Sequence, residues 1–280
     1  MTISIVTISY NQAKFVERAI RSVLNQNYND VEYIIVDAGS IDGSQDIIER
    51  YRPSFARVIC EPDSGPTDGL NKGFSVATGD IFGCLNSDDF YLCGGLGEVA
   101  RCFEAHPEAD VIYGNGYIVD ENSKLIRRFY SDPYSLWRHG HGASVVMQQS
   151  TFFKASAFRD VGGFSLDNPI WWDGELLMDF ALAGKKFERK SHFWSGFTIH
   201  KDSISGQKRQ ASPRAAQVAH DRDMTAARMR KKALGDASKS WSAMLDHVAY
   251  IEKRVLNPLG TAWRIAEHFG IGVGSRIDSQ

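Results

Sequence analysis

The chain lacks any apolar run approaching the ~20 residues of a membrane-spanning helix, so no segment reads as a span. Cysteine is scarce and unpatterned: Cys60, Cys84, Cys93 and Cys102 offer no CxxC spacing, which leaves no cysteine-held zinc site. Cys60 and Cys84 instead close apolar runs and are expected to be buried free thiols of a reducing compartment. An excess of one charge is also missing, since 32 Lys and Arg face 34 Asp and Glu. The resulting net charge of −2 gives no case for nucleic acid as a partner. No basic leader with a cleavage site precedes the strand-like Ile3-Ser4-Ile5-Val6-Thr7-Ile8-Ser9, so the expected location is the cytoplasm, including the inner face of the cytoplasmic membrane. No internal repeat or low-complexity tract interrupts the sequence.

What is present suffices for one large α/β domain or a domain with an appendage, with 43% of 280 residues hydrophobic. Charge is unevenly spread. From Lys201 onward 14 Lys and Arg stand against 8 Asp and Glu, whereas the first 200 residues hold 18 against 26. A basic tail of this kind can face anionic lipid, a partner or water.

Through residue 110 strand and helix patterns alternate with short links. Apolar runs end at Ser9, Asp37, Cys60 and Leu85, and helical spacing follows over 13–24, 44–50, 65–77 and 95–105. The alternation specifies an α/β fold with a mainly parallel central sheet flanked by helices. Ligands of such sheets sit at the carboxyl ends of the strands. Three of those ends are polar, namely Ser9-Tyr10-Asn11, Asp37-Ala38-Gly39-Ser40 and Asn86-Ser87-Asp88-Asp89, and one crevice can collect them. Beyond residue 110 come a strand at Val111-Ile112-Tyr113-Gly114, a hairpin over 117–130, a strand at Ser150-Thr151-Phe152-Phe153, a helix over 173–183 and a last strand over 193–200. From about Pro213 the chain is Ala-rich and helical, broken near Gly235 and Pro258, and reads as a separate C-terminal extension.

The run Cys84-Leu85-Asn86-Ser87-Asp88-Asp89 puts two carboxylates and an amide at the end of a buried strand. Carboxylates there are costly unless something positive meets them. A hard divalent cation, Mg²⁺ or Mn²⁺, is one suitable partner because it takes oxygen ligands and bridges carboxylates to substrate phosphates. A turn or helix cap uses the same residue types and stands as the alternative. Two further polar clusters are Asp37-Ala38-Gly39-Ser40-Ile41-Asp42-Gly43-Ser44 and a segment opening a helix that carries Asp68, Asn71 and Lys72 on one side.

In this order the clusters resemble the family 2 glycosyltransferases. The matching phrases are Ser4-Ile5-Val6-Thr7 with Tyr10-Asn11, Val36-Asp37-Ala38-Gly39-Ser40, Asn71-Lys72-Gly73, Leu85-Asn86-Ser87-Asp88-Asp89, Gln149-Ser150-Thr151-Phe152-Phe153, Val161-Gly162-Gly163-Phe164 and Trp172-Asp173-Gly174-Glu175-Leu176. The resemblance implies a GT-A fold over residues 1–205, with a nucleotide half to about 110 and an acceptor half from 111, followed by a helical extension over 206–280. It implies that Asp37 meets a nucleobase, favouring a UDP- or dTDP-linked donor, with Thr7, Tyr10, Asn11 and Ser40 beside it and Asp68 closing the pocket. Asn86-Ser87-Asp88 occupies the family's DxD position. Asp88 is then the metal ligand with Asp89 in support and His200 near the metal or diphosphate, while Lys201 is a further diphosphate partner. Asn86 departs from the pattern and removes one expected carboxylate.

The resemblance also implies an inverting reaction. Asp173 matches its general base, with Glu175 as the fallback and an N-cap as the plain alternative. Trp171 and Trp172 can stack on a sugar face or belong to the core, and Gln148 and Gln149 can hydrogen-bond an acceptor. The expected partners are a nucleotide-sugar donor and a saccharide or lipid-linked saccharide acceptor in surface polysaccharide or O-antigen assembly. The tail with Trp241, Trp263 and Phe269 can dock on a membrane, form a homodimer or pack on the catalytic domain. A nucleotidyltransferase and a catalytically silent binding module are the rival readings. The first needs a Gly-rich basic phosphate loop that residues 7–15 do not supply.

Overall fold

Four of the apolar runs become adjacent parallel strands. A computed structural model describes residues 1–168, 170–201, 203, 213–235 and 242–262. The first half runs β1 (Ile3–Ser9), α1 (Val16–Leu24), β2 (Val31–Asp37), α2 (Ser44–Arg50), β3 (Arg57–Cys60), α3 (Pro66–Ser75) and β4 (Ile81–Asn86). It continues through the two-residue β5 (Phe90–Tyr91) and α4 (Gly95–Ala105). The second half holds β6 (Val111–Asp120), β7 (Leu125–Phe129), α5 (Leu136–Gly140), β8 (Thr151–Lys154), α6 (Ala155–Asp160), α7 (Trp172–Leu182) and β9 (Phe187–Ile199). Two helices follow, α8 (Pro213–Leu234) and α9 (Ser242–Leu256).

All nine strands share one sheet in the order β3-β2-β1-β4-β8-β6-β9-β5, with β7 paired to β6. The strands from β3 to β4 are parallel. β8 inserts antiparallel to both β4 and β6, and β6 runs parallel to β9. Helices cover both faces, which is why the strands read as unbroken apolar runs rather than alternating ones. Ile3, Ile5 and Leu85 join Val16, Ile20, Leu96 and Phe103 in one core cluster. Val6, Val36 and Phe82 join Phe74, Phe158 and Trp172 in the other. Helix α3 lies so close to β1 that a Cβ at Gly73 would fall 2.3 Å from Val6 Cγ1, so a side chain there is excluded.

Two departures from the sequence reading concern length. The last strand begins at Phe187, six residues before the expected start, because its register with β6 is carried across irregularities near Asn115. The strand at Val111 and the first arm of the hairpin are one continuous β6. The C-terminal helices do not stand apart: α8 packs on α5 and α7, and α9 packs on α5. Trp241, Trp263 and Phe269 lie outside the described residues. No helix among the described residues is long and apolar enough to cross a membrane.

Candidate active site

The register of the parallel strands decides what meets at their carboxyl ends. Ser9 is level with Asp37 across one interface and Ile8 with Asn86 across the other, so the three polar strand ends lie side by side. The loop after β1 is fastened to the loop after β2 through three successive amides. The backbone N–H groups of Asn11, Gln12 and Ala13 donate to Ser40 Oγ (2.8 Å), Ser44 Oγ (2.9 Å) and Asp42 Oδ2 (2.9 Å). Asn11 takes a positive φ of 52° in this arrangement, and its Oδ1 accepts from the Ile41 amide at 3.0 Å.

Asp37 is fully buried beneath these loops. Its Oδ1 accepts from the amides of Gly39 and Ser40 and from Gln45 Nε2, and its Oδ2 accepts from Ser40 Oγ at 2.6 Å. Thr7 has no exposed surface, and its hydroxyl meets the Tyr33 hydroxyl at 3.1 Å inside the core. The structure therefore removes Thr7 from the crevice wall: it faces the packed helix layer. Tyr10 stands at the rim, 61% exposed. Asp68 is tied to the Ser64 amide at 2.9 Å, which holds its carboxyl below the usual range. Asp63, which the sequence reading passed over, sits among Asp37, Asp68 and Lys72, and burial pushes its carboxyl up.

Asp88 and Asp89 have opposite surroundings. Asp89 is fully buried. It accepts from the Thr198 amide (2.8 Å), Gln149 Nε2 (2.7 Å) and Asn86 Nδ2 (3.3 Å). Burial first, then the neighbouring Asp88 charge, push its carboxyl well above the ordinary range. Asp89 is thus a strut joining the end of β4 to β9, and not the second metal ligand expected of it. Gln149, spent on Asp89 and itself buried, is likewise unavailable to an acceptor. Asp88 faces His200, with Oδ2 to Nε2 at 3.0 Å. His200 in turn lies against the Phe15 ring, 4.6 Å between centroids. Ser87 is buried, with its amide on the Ile8 carbonyl at 3.1 Å. Lys201 is exposed.

Arg18 is the functional candidate that the sequence reading missed. From α1 it donates to the Asp88 carbonyl (2.5 Å), Thr198 Oγ1 (2.6 Å) and Ser123 Oγ (2.7 Å). Its guanidinium lies 4.7 Å from the Phe90 ring centre. Burial lowers its pKa, while the charges of Asp89 and Asp88 act in the opposite sense. A polar residue on an amphipathic helix gives no local signal of this; only the long-range fold brings β4, β9 and the β6–β7 turn to one guanidinium.

On the acceptor side, Gln148 is bonded to the end of β4. Its Nε2 donates to the Cys84 carbonyl (2.9 Å) and its Oε1 accepts from Asn86 Nδ2 (3.4 Å). Gln148, Cys84 and Asp173 line one small cavity of about 20 Å³ together with Phe164, Trp172 and Leu176, which is room for roughly one water. Asp173 opens α7, its carboxylate held by the backbone amides of Asp173 and Gly174, and desolvation raises its pKa. The N-cap position of α7 falls to Trp171, without a side-chain cap bond, so the N-cap alternative for Asp173 is not realised.

Glu175, the fallback base, is buried and committed. It accepts from Arg228 at 2.6 Å, Lys232 at 3.1 Å and Asn168 at 2.9 Å. With two cations on one carboxylate it anchors α8 to α7, and its oxygens are taken up by these partners. Trp172 is packed edge-on against Phe164 in the core, 5.3 Å between centroids. Of the two tryptophans only Trp171, half-buried at the start of α7, keeps a surface for a sugar. The Gly-Gly-Phe turn before it is pinned by Asn71 of α3. Asn71 Nδ2 donates to the Phe164 carbonyl and its Oδ1 accepts from the Phe164 amide, both at 2.9 Å. Gly163 of that turn has φ +83° and would place a Cβ 2.8 Å from Asn71 Oδ1.

Among the described residues no three His, Cys, Asp or Glu side chains gather round one point. The Asp88–His200 pair nonetheless fits a divalent ion. Adjacent ligands of an octahedral ion bonded at 2.0–2.1 Å lie about 3 Å apart, and such ions complete their shells with water and substrate phosphates.

Comparison with known proteins bears on the family and the fold. The family model described as glycosyl transferase family 2 matches residues 4–160. An uncharacterised glycosyltransferase of Mycobacterium tuberculosis is 34% identical over 183 residues, 65% of this chain and 69% of the relative. One from Nostoc is 33% identical over 198 residues, 66% of this chain and 61% of the relative. Among solved structures, Staphylococcus aureus TarS 1–349 with UDP has a TM-score of 0.61 at 14% identity, over 96% of this chain and 92% of that one. Against the longer TarS chain the match spans 43% of its length. The mannosyltransferase PcManGT of Pyrobaculum calidifontis, with GDP-Man and Mn²⁺, has a TM-score of 0.57 at 17% identity, over 95% and 86%. The fold is therefore GT-A, and the chain belongs to glycosyl transferase family 2.

Proposed function

We propose that this chain is an inverting, metal-dependent glycosyltransferase that moves one sugar from a UDP- or dTDP-linked donor to a hydroxyl of a saccharide or lipid-linked saccharide in surface polysaccharide assembly. The observation that carries the reading is the polar stretch at the carboxyl end of β4. There His200 meets Asp88, and two residues earlier Asn86 meets Gln148, which lines the cavity beside Asp173. One end suits a cation and diphosphate, the other a proton acceptor.

Asp88 and His200 would hold Mn²⁺ or Mg²⁺, which supplies Lewis-acid neutralisation of the diphosphate. Tyr10 offers an exposed ring beside the base. Asp37 would accept an imide N–H through Oδ2, whose partner among the described residues is Ser40. Asp173 takes the acceptor hydroxyl proton as that oxygen bonds the anomeric carbon. The bond from that carbon to the donor phosphate oxygen breaks, and the nucleoside diphosphate leaves with the electron pair. Desolvation of Asp173 moves its pKa toward neutrality, which makes it a stronger base when ionised.

The test is donor hydrolysis and nucleotide binding by purified protein, with and without Mn²⁺. Wild type is expected to release UDP from a UDP-sugar only with the metal, and Asp88→Ala to lose about a hundredfold or more of that rate. Equal nucleotide affinity with and without metal, unchanged in Asp88→Ala, would favour a binding module instead.

A further inference from the structure

Asp88 and His200 stand 112 residues apart in sequence, yet Oδ2 and Nε2 meet at 3.0 Å. Each follows the end of a strand, β4 for Asp88 and β9 for His200, and β8 and β6 lie between those two strands in the sheet. Direct pairing of β4 with β9 therefore does not set the spacing of the pair. Two ties do join the turn to β9. Phe90 and Tyr91 pair with Gly196 and Ser195, and Asp89 takes the Thr198 amide. Neither tie involves the Asp88 main chain or the Thr198 side chain.

Arg18 bonds both. A single nitrogen, Nη2, donates to the Asp88 carbonyl at 2.5 Å and to Thr198 Oγ1 at 2.6 Å. The Asp88 carbonyl belongs to the rigid peptide plane next to the carboxylate-bearing carbon, and Thr198 lies two residues before His200. The guanidinium is itself held, 4.7 Å from the centre of the Phe90 ring. That ring lies over Gly196, where a Cβ would fall 2.2 Å from Phe90 Cζ. Three residues before Arg18, at the entry to α1, Phe15 sets its ring 4.6 Å from the His200 ring. The start of α1 thus touches both members of the pair.

Repulsion between like charges makes an arginine an unfavourable neighbour for a metal ion, so charge and geometry predict opposite effects of its removal. We propose that Arg18 is a positioning residue for the divalent cation. It holds the Asp88 carbonyl and the Thr198 hydroxyl so that the Asp88 carboxylate and the His200 ring keep the spacing an octahedral ion requires. It touches neither the ion nor the donor. The inference rests on the reading of Asp88 and His200 as the cation pair.

Mn²⁺ titration of the full chain, followed by the paramagnetic resonance of the free ion with and without UDP, tests the proposal without turnover. Arg18→Lys keeps the charge but ends one bond short of Nη2 and lacks the planar fork. Arg18→Met keeps an apolar stem and removes the charge. Both are expected to weaken Mn²⁺ binding by about tenfold. Thr198→Val, which removes one of the two acceptors at constant shape, should weaken it by several-fold. It carries the test where an Arg18 variant does not melt cooperatively. Lys14→Ala breaks the exposed ion pair with Glu121, another contact between the start of α1 and the β6–β7 turn, and should leave Mn²⁺ affinity unchanged. Tighter binding in Arg18→Met, wild-type affinity in Arg18→Lys or Thr198→Val, or an equal loss in Lys14→Ala overturns the proposal. Absence of Mn²⁺ binding by the wild type overturns the metal reading and this inference together. Intact Mn²⁺ binding without donor hydrolysis strikes the transfer reading and leaves the role of Arg18 standing.

Discussion

The turn after β4 and the start of α7 each present two acidic residues close in sequence, and the two places divide the labour in the same way. At the turn, Asp89 is buried and saturated by Thr198, Gln149 and Asn86, while among the described residues the Asp88 carboxylate hydrogen-bonds His200. At the helix, Glu175 is buried and saturated by Arg228, Lys232 and Asn168, while among the described residues the Asp173 carboxylate meets backbone amides beside a cavity. One carboxylate of each pair holds the frame and the other is left with lone pairs to use. The saturated members differ in partner: neutral amides bond Asp89, with the Arg18 charge nearby, whereas two cations and one amide bond Glu175. Chemistry should therefore track Asp88 and Asp173, and stability should track Asp89 and Glu175.

The largest break in that division is expected from Asp173→Asn, which should lower transfer or donor hydrolysis by about 10²- to 10⁴-fold. Its stability effect has the opposite sign from that of ordinary site damage. The folded state raises the pKa of Asp173, so between the unfolded value near 4 and the raised value the native state binds more protons than the unfolded state. Stability from this group therefore falls as pH rises through that window, and Asp173→Asn should melt no lower than wild type at neutral pH. Melting curves across pH for both proteins check the sign, and the gap should close in acid.

Glu175→Gln comes next. Removing the charge leaves Arg228 and Lys232 facing a neutral amide, and both are about a third exposed. Water offsets part of the loss, so about 2–3 kcal/mol of unfolding free energy is expected to go, read by denaturant titration. The pH dependence of any remaining activity should be unshifted, because Asp173 stays in place. A smaller effect, about 1–2 kcal/mol, is expected from Asp89→Asn, which sets an amide donor against Gln149 or Asn86. Nucleotide affinity in Mn²⁺ should change less there than in Asp88→Ala.

Much of the frame was legible in the sequence because it depends on local pattern. Apolar runs ending in polar residues located β1, β2 and β4, and parallel register alone brings Ser9, Asp37 and Asn86 level. The Asn71 and Gly162-Gly163-Phe164 motifs were visible as phrases, but not as one clasp, since the bonds between them cross 93 residues. The division within each acidic pair was not legible for the same reason. Asp89 is satisfied from Thr198, 109 residues away, and Glu175 from Arg228, 53 residues away. A carboxylate does not announce its partner, and Trp172 does not announce Phe164. Arg18 was hidden among ordinary helix-surface arginines until β9 and the β6–β7 turn reached it.

The most direct test of the division is a paired assay of Asp173→Asn and Glu175→Gln, with donor hydrolysis and melting temperature measured on the same preparations. The account predicts that Asp173→Asn loses activity at undiminished melting temperature while Glu175→Gln melts lower and retains the larger share of activity. Full activity in Asp173→Asn with loss in a normally folded Glu175→Gln would contradict it.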